Sequence, residues 1–588
     1  MDFKLSNKST ASAQHDTVAR GLRCALCVAL WCCALSLVCA VAQQTRRQQP
    51  TTKPAQTTVR ADGNTTAALT EAAALLQAGR LDEAEEVVRR SLSTAPRDAN
   101  AHTLLGVILD ERGRTAEAEQ EYHEALRLEP KHVAARSNLG VLLARTNRID
   151  QAIEMFEAVL RIEPAHTKAG FNLGALYAAR GDYNRAVPLL ERAANVHNNQ
   201  AATADASDLA LLLMLENAYA HVGRGQAAGA LADRIEQLAG DDARTLFTLG
   251  LTLAEGQEYA RAARLFERTN ALRPQTFEVL YNLGVARYNL NQLDEAAQAL
   301  NAAAALAPNA AEPYYRLGLI ASARGDSKAA LEYWGKALTL RPDYAEANFM
   351  IGEELLKRRV PENAVQFYAR ALELDPAKLI YHIRLGVADF RSQHYQEARA
   401  VFNRALERFP NDANLYFLLG YAARAEGQYD DAIAAFNRSL ALKPDNPDVL
   451  TNLGFIAGQR GQEAEAERLL RQAIKLDPNN FPAYHDLGRL LVKLRRYDEA
   501  LPLLERGASL NKEDPGVHYQ LFLAYSRLKR KEDAERELAI FKQFEAATKH
   551  APTPLGGANA GMAAGETDAQ PPPLPAAAAG ESSKPPVP

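Results

Sequence analysis

Residues 413–446 read ANLYFLLGYAARAEGQYDDAIAAFNRSLALKPDN, and the same order of small, large and helix-breaking residues returns along most of the 588-residue chain. Within this stretch, apolar residues recur at i, i+3, i+4 and i+7 in two short segments, which predicts two amphipathic helices. Gly427 stands between the segments, where a left-handed residue is needed, and Pro444 follows the second segment. The stretch therefore predicts one helix pair.

The pattern repeats with a period of 34 residues. A glycine recurs at the same position of most repeats, and we call this position the glycine phase. Alanine follows each glycine after twelve positions, as Ala432 follows Gly420, and a proline often follows twelve positions later. Because glycine and alanine carry little bulk, we expect them where the two helices cross closely, with large residues such as Phe436 filling the remaining space. The glycines of this phase are Gly106, Gly140, Gly174, Gly250, Gly284, Gly318, Gly352, Gly386, Gly420, Gly454 and Gly488.

The repeating residues match a known motif of a Leu-Gly pair, Tyr, Ala, an aromatic residue and Pro. Leu419-Gly420 is followed by Ala432, Phe436 and Pro444, and Asn172-Leu173-Gly174 is followed by Tyr177, Ala186, Leu190 and Ala193. Over residues 65–548 the chain resembles the tetratricopeptide repeat family. The resemblance implies an all-α fold, a right-handed superhelical solenoid of antiparallel helix pairs. It also implies a concave surface, formed by the first helix of each repeat, that binds peptides or helices of other proteins.

The period divides the chain into about fourteen repeats. Repeats 1–4 occupy residues 65–200 and repeats 5–14 occupy 209–548, separated by an insertion at 201–208 that we expect to bend the array. Repeat 5 is degenerate, because Glu216 stands in the glycine phase. The last repeat has Phe522 in that phase and a charged stretch at 529–532, as expected of a terminal cap.

The two ends of the chain differ from the repeats. Arg20 and Arg23 precede an apolar stretch over 24–42, which is typical of a secretory signal peptide with cleavage before Gln43. A single N-terminal membrane anchor over 1–42 stays open, since 19 apolar residues nearly suffice to span a bilayer. Either alternative places the repeats outside the cytoplasm, in a periplasmic or secreted protein. Residues 43–64 are predicted to be a flexible linker, and the Pro/Ala-rich residues 549–588 a disordered tail.

The sequence carries no recognisable catalytic or metal-binding motif. All five cysteines lie within residues 24–39, so the repeats have no disulfide, thiolate metal site or cysteine nucleophile. HExxH, the phosphate-binding loop and the G-x-S-x-G elbow do not occur. A net charge of -4 gives no electrostatic case for binding nucleic acid. We therefore predict a protein that is not an enzyme, has no catalytic residues, needs no cofactor or metal, and has other proteins or peptides as partners.

Candidate binding residues lie on the first helices of repeats 6–11. Three positions before the glycine phase these helices carry large apolar residues, and the next position is often polar, where asparagine could bond a peptide backbone. A track of exposed aromatic side chains suits peptide recognition. The alternative is that the same side chains close gaps between neighbouring first helices, because a stripe at helical spacing is usually core. The candidates are Phe247, Tyr281, Asn282, Tyr315, Arg316, Phe349, Arg384, Phe417 and Tyr421.

Three functions remain open on this basis. The first is an extracytoplasmic scaffold or adaptor that mediates protein–protein interactions through its concave surface. The second is a regulatory or substrate-recruiting partner of an envelope enzyme, such as a glycosyltransferase or protease, that acts in trans. The third is oligomerisation through the end repeats. No three consecutive repeats supply the lysine, asparagine and arginine set with which some family members hold a C-terminal chaperone motif, so we do not expect that ligand.

Overall fold

The structure is a computed structural model that describes residues 63–198 and 206–550. Within these ranges every regular element is an α-helix. Residues 1–42, most of the predicted linker, residues 199–205 of the insertion region and nearly all of the predicted tail lie outside the described residues. The described chain forms two compact units, the first ending at Asn309 and the second beginning at Ala310.

Unit 1 consists of helix pairs in which each helix packs against the next one along the chain. Odd-numbered helices are the first helices of the repeats, and even-numbered helices are the second. They are α1 (Gly63–Gln77), α2 (Leu81–Thr94), α3 (Ala99–Glu111), α4 (Thr115–Leu128), α5 (Val133–Arg145), α6 (Ile149–Ile162), α7 (Thr167–Ala179), α8 (Tyr183–Asn198), α9 (Ala206–His221), α10 (Gly225–Ala239), α11 (Ala243–Glu255), α12 (Tyr259–Leu272), α13 (Phe277–Asn289) and α14 (Leu293–Leu306).

Unit 2 continues the same alternation, and its last helix is the longest, with 20 residues. The all-α fold built from tandem helix pairs is therefore confirmed. The helices are α15 (Ala311–Ala323), α16 (Ser327–Leu340), α17 (Ala345–Lys357), α18 (Pro361–Leu374), α19 (Leu379–Arg391), α20 (Tyr395–Arg408), α21 (Ala413–Ala425), α22 (Tyr429–Leu442), α23 (Pro447–Gln459), α24 (Glu463–Leu476), α25 (Phe481–Lys493), α26 (Tyr497–Leu510), α27 (Pro515–Arg527) and α28 (Lys531–His550).

In the eleven repeats that have the glycine, the helix pair is held by a crossing at which this glycine of the first helix faces a large side chain of the second. Gly318 on α15 lies directly against Trp334 of α16, and a Cβ added to Gly318 would overlap the indole ring. Trp334 is fully buried, and its indole N–H donates a hydrogen bond of 3.1 Å to the carbonyl oxygen of Tyr315. Gly386 meets Phe402 in the same way. The close approach of the two backbones therefore depends on the absence of a side chain.

The turn between the two helices of each repeat contains one residue with a positive φ angle. Glycine holds this position in several repeats, as at Gly113 (φ 76°) and Gly427 (φ 82°), which confirms the prediction of a left-handed residue there. In seven other repeats the same position is not glycine. Asn147, Gln257, Asn291, Arg359, Gln393, Arg495 and Lys529 adopt φ angles from 58° to 65°.

The predicted start of the helix after Pro444 is also confirmed. The Asn446 side chain accepts hydrogen bonds from the backbone N–H groups of Asp448 (3.0 Å) and Val449 (3.3 Å), and Pro447 is the first residue of α23. Proline suits this position because its missing N–H would have no partner within the helix. The Asn446–Pro447 sequence therefore sets the boundary between repeats 11 and 12.

Repeat 5 packs against repeat 4 although its glycine is lost. The ring of Tyr183 stacks on His221 at 4.1 Å, and the Tyr219 hydroxyl donates to Glu191 at 2.8 Å. Helix α9 already begins at Ala206, so the last residues of the predicted insertion are helical. The bend expected at 201–208 stays a prediction.

Glu216 occupies the helix crossing of repeat 5 and is almost completely buried. Sixteen positions later, where other repeats have a large side chain, this repeat has the buried Ala232. The larger residue at this crossing is thus on the first helix. Burial raises the pKa of Glu216 to about 7, Glu258 and Glu255 add to the rise, and Thr252 and Arg261 oppose it.

We expect Gly318→Ala to lower the free energy of unfolding of unit 2 by about 1–3 kcal/mol, because the new methyl group overlaps a buried ring. Gly335 on α16 is the matched control, since an added Cβ there meets no atom within 4 Å. Gly335→Ala should raise the free energy of unfolding by up to about 1 kcal/mol. Urea unfolding followed by circular dichroism measures both, and equal shifts would contradict this account of the crossing.

We expect Glu216→Gln to stabilise unit 1 in a pH-dependent way. The pKa of Glu216 in the folded state, about 7, lies above the ordinary value of 4.5. The stability associated with the protonated carboxyl is therefore complete below pH 4.5 and is lost as pH rises through 7. The amide should raise the melting temperature clearly at about pH 8 and hardly at about pH 4.5. Glu295→Gln, on an exposed side chain of α14, should show no such dependence.

Candidate functional site

The candidate binding residues all lie on first helices, but they are less accessible than an exposed track requires. Tyr315, Phe417 and Tyr421 are 4%, 6% and 8% exposed. Arg316 and Asn282 are buried as well, while Phe247, Tyr281, Phe349 and Arg384 are half-buried. Three of the candidates (Phe247, Tyr281 and Asn282) belong to unit 1, and the other six belong to unit 2.

Contacts between repeats and within repeats explain the burial. In unit 2 the Tyr315 ring lies 4.9 Å from Tyr344, the residue that caps the first helix of the following repeat, and the Phe349 ring lies 5.0 Å from Tyr381 of the following repeat. In unit 1 the Phe247 ring lies 5.7 Å from Phe266 on the paired second helix. The Phe349–Tyr381 contact joins neighbouring first helices, as the gap-closing alternative requires. The expectation of an exposed aromatic track is therefore wrong at Tyr315, Phe417 and Tyr421, and the binding role of the stripe stays a prediction.

The polar candidates have partners within their own unit. The Asn282 side-chain amide donates to the Glu278 carbonyl oxygen at 2.8 Å, one turn earlier on α13. Arg384 Nε lies 2.8 Å from Glu353 Oε1, and the same carboxylate accepts a hydrogen bond of 2.6 Å from the Tyr368 hydroxyl. The Arg316 guanidinium lies 5.7 Å from the centre of the Tyr315 ring. Asn282 is thus engaged with its own helix, and Arg384 with the preceding repeat.

A different set of side chains in unit 2 alternates rings and guanidinium groups across three successive first helices. Arg424 of α21 lies 4.9 Å from the centre of the Tyr421 ring and 4.7 Å from that of Phe455 on α23. Arg489 of α25 lies 5.2 Å from the centre of the same Phe455 ring. We call Tyr421, Arg424, Phe455 and Arg489 the arginine–aromatic row. Phe455 is half-buried, and the side chain of Arg489 is 38% exposed.

Of these four, the sequence marks Tyr421 as a candidate binding residue and Phe455 only as a ring near the apolar stripe. The available signal was a second phase, because Tyr421, Phe455 and Arg489 each directly follow a glycine of the 34-residue period. That phase lies about one helical turn beyond the apolar stripe. This phase holds two aromatic residues and an arginine, so it shows no repeated residue type in the sequence. What its members share is the ring–guanidinium contact, which only the structure shows.

The two arginines of the row differ in their counter-ions. Arg489 Nη2 lies 3.0 Å from Asp486 Oδ1. Within the described part of the chain, no carboxylate lies within ion-pair distance of Arg424, and its buried Nε has no hydrogen-bond partner. Burial raises the pKa of the Tyr421 hydroxyl, and the charge of Arg424 opposes that rise. Arg424 thus lies near two rings, makes a side-chain hydrogen bond with Tyr421, and has no ion pair with a carboxylate among the described residues.

Charge on the first helices α19, α21, α23, α25 and α27 is predominantly positive. The whole chain, in contrast, has a net charge of -4. Burial raises the pKa of Asp389, one of the few acidic residues here, to about 6. The basic residues of these helices are Arg384, Arg391, Arg424, Arg489, Lys493 and Arg527, and the acidic ones are Asp389, Asp448 and Asp486.

Three histidines in one phase have structural contacts. Nε2 of His102, His382 and His518 lies 3.0–3.2 Å from the carbonyl oxygen six residues earlier, so these ring N–H groups donate to the preceding turn.

Among the residues that the structure describes, no group of three or more His, Cys, Asp or Glu side chains could hold a metal ion. No helix within residues 63–198 and 206–550 is long and apolar enough to cross a membrane.

These features define a helical-repeat protein with a mixed aromatic and basic surface. Models of the tetratricopeptide repeat match residues 69–132, 247–311, 315–378 and 383–447, residues 111–160, 147–206 and 423–491, and residues 483–516. The matched segments together cover well over half of the chain. The protein belongs to the tetratricopeptide repeat family, and its repeats form a scaffold suited to protein–protein interaction.

Solved structures with similar helical arrays include yeast Tom70, with 18% identity, 77% of this chain and 96% of that chain covered, and a TM-score of 0.29. A structure of Naa15/Naa10 bound to HypK-THB has 14% identity, covers 83% and 95% of the two chains, and has a TM-score of 0.33. The APC/C hetero-tetramer Cut9-Hcn1 has 13% identity, 79% and 96% coverage, and a TM-score of 0.32. No curated protein sequence matches the chain.

Proposed function

We propose that this protein is an extracytoplasmic adaptor that binds segments of other proteins on the first helices of unit 2. The observation that carries the proposal is the arginine–aromatic row, in which the half-buried Phe455 ring lies between two guanidinium groups. Aromatic and arginine side chains dominate the binding energy of protein interfaces. An array of repeats, each touching its neighbours, offers an extended surface to such a segment.

Buried aromatic side chains pack against the arginine–aromatic row and fix its position. Tyr421 of the row contacts Phe390 on α19 at 5.2 Å, and Phe417 contacts the fully buried Phe436 at 6.0 Å. Side chains that are fixed by packing lose little conformational entropy when a partner binds. The buried stripe and the partly exposed row are therefore parts of one preorganised surface in unit 2.

The extracytoplasmic location rests on residues 1–42. Their basic start, apolar middle and Ala40-Val41-Ala42 end are the features of a secretory signal peptide. A retained anchor would give the same location for the repeats. The confinement of all five cysteines to residues 24–39 leaves an exported chain that is stabilised by packing alone.

We expect Phe455→Ala to weaken partner binding at least about tenfold, because the ring between the two arginines is lost. The full chain is immobilised, incubated with an envelope extract, and the retained proteins are quantified by mass spectrometry. Tyr333→Ala, on a half-buried ring of the second helix α16, is the matched control. Both variants should melt close to wild type. If Phe455→Ala and wild type retain the same proteins in equal amounts, the row is not the binding surface.

We expect the exported chain to begin at Gln43, with residues 1–42 removed. N-terminal sequencing of protein purified from fractionated cells measures this directly. A chain that keeps its first residues and stays in the membrane pellet after alkaline carbonate washing would instead indicate the anchor. Recovery of the full-length chain in the cytosolic fraction would contradict the extracytoplasmic proposal.

A further inference from the structure

We infer that the arginine–aromatic row recognises an acidic peptide segment whose carboxylates occur at alternate residues. Arg424 would bind one carboxylate, and Arg489 would bind another through the N–H groups that its ion pair with Asp486 leaves available. Phe455 would contact the apolar part of the segment. This inference rests on the proposed function and specifies the chemistry of the partner at the same surface.

The position of Arg424 beside the two rings determines which of its N–H groups can bind a carboxylate of the partner. Rings of Tyr421 and Phe455 lie within 5 Å of its guanidinium carbon. A guanidinium stacked on a ring keeps its N–H groups in the plane of the fork, where they match the two oxygens of a carboxylate. Contacts with rings do not neutralise the charge, and the described residues supply no carboxylate for it. A carboxylate from a partner would complete the site.

The spacing of the two cations favours an extended peptide. Both guanidinium carbons lie near the centre of one ring, at 4.7 Å for Arg424 and 5.2 Å for Arg489, so they are at most about 10 Å apart. In an extended chain, residues i and i+2 lie on the same face about 7 Å apart. Two acidic residues separated by one residue can therefore reach both arginines at once.

The surrounding charge favours the same ligand. Arg391, an exposed residue whose charge is partly offset by Glu353 of α17, adds a cation at the α19 end of the surface. The other first helices of unit 2 have the opposite balance, with Glu312, Glu346, Glu353 and Glu354 against Arg316 and Lys357. Charges are screened beyond about 8 Å at physiological salt, so a bound peptide interacts mainly with the charged side chains closest to it. The positive part is confined to helices α19 to α27.

The test uses the full chain and a fluorescently labelled peptide of alternating glutamate and serine, with binding followed by fluorescence anisotropy. Wild type should bind this peptide at least about tenfold more tightly than the matched glutamine–serine peptide. Arg424→Gln/Arg489→Gln should weaken binding of the glutamate peptide at least about tenfold. Arg489→Gln alone, on the more exposed side chain, gives a variant with less risk to folding and should show part of the loss.

The control is Arg468→Gln/Arg471→Gln on the second helix α24. It removes the same charge from side chains that pair with Glu465 and Glu467, both at 2.7 Å, away from the first helices. Its affinity for the glutamate peptide should stay within about twofold of wild type, since each exposed pair contributes little. A loss equal to that of the row variant would show a general charge effect and overturn the inference.

Other outcomes separate the partner chemistry from the proposed function. If both peptides bind equally, or neither binds while Phe455→Ala still loses envelope partners, the acidic ligand is wrong and the adaptor function stands. If a single-stranded DNA oligonucleotide competes as well as the peptide, the row is a general polyanion site and the inference fails. If the glutamate peptide binds through both arginines but Phe455→Ala retains every envelope partner, the adaptor proposal fails and the carboxylate site remains.

Discussion

The steric contact between a first-helix glycine and a large second-helix side chain is the constraint on which every regular repeat depends. At Gly318 the indole of Trp334 occupies the space that a methyl group would need, and the indole N–H bonds the backbone of the helix that it faces. Nearby alanines such as Ala330 are also fully buried. Two helices of about 13 residues each cannot bury enough surface alone, so close crossing within a pair and stacking between pairs are both needed.

Repeat 5 shows that the constraint concerns volume rather than glycine itself. Glu216 and Ala232 exchange the small and large positions, and the crossing stays buried. The exchange places a carboxyl group where water is excluded, which disfavours its ionised form. The altered crossing therefore couples the stability of this repeat to pH, whereas the glycine crossings have no ionisable group in the first helix.

The parts of the fold that could be predicted from sequence are those set by contacts at a fixed spacing. The glycine phase, the turn glycines and the Asn446–Pro447 boundary all act within one repeat, so their spacing in sequence reports their geometry. The exposure of Tyr315 could not be predicted, because it depends on Tyr344, which lies 29 positions later at the junction with the following repeat. Likewise, the positive φ of Arg359 and Arg495 follows from the helices on either side and not from a residue preference. The arginine–aromatic row joins three repeats, and no single repeat contains its pattern.

Many other arginines of the chain form ion pairs with carboxylates of neighbouring repeats, and Arg424 of the arginine–aromatic row does not. Arg148 pairs with Glu119 of the preceding repeat at 2.6 Å, Arg496 pairs with Glu467 at 2.6 Å, and Arg399 pairs with Glu426 at 2.6 Å. These pairs join neighbouring repeats and satisfy both charges within the fold. Arg424 is half-buried and makes no such pair in the described chain. The nearby rings of Tyr421 and Phe455 and the hydrogen bond with Tyr421 hold its position without neutralising its charge. A carboxylate supplied by a partner would find both the geometry and the charge already in place, so that little of the binding energy would be lost to ordering the site.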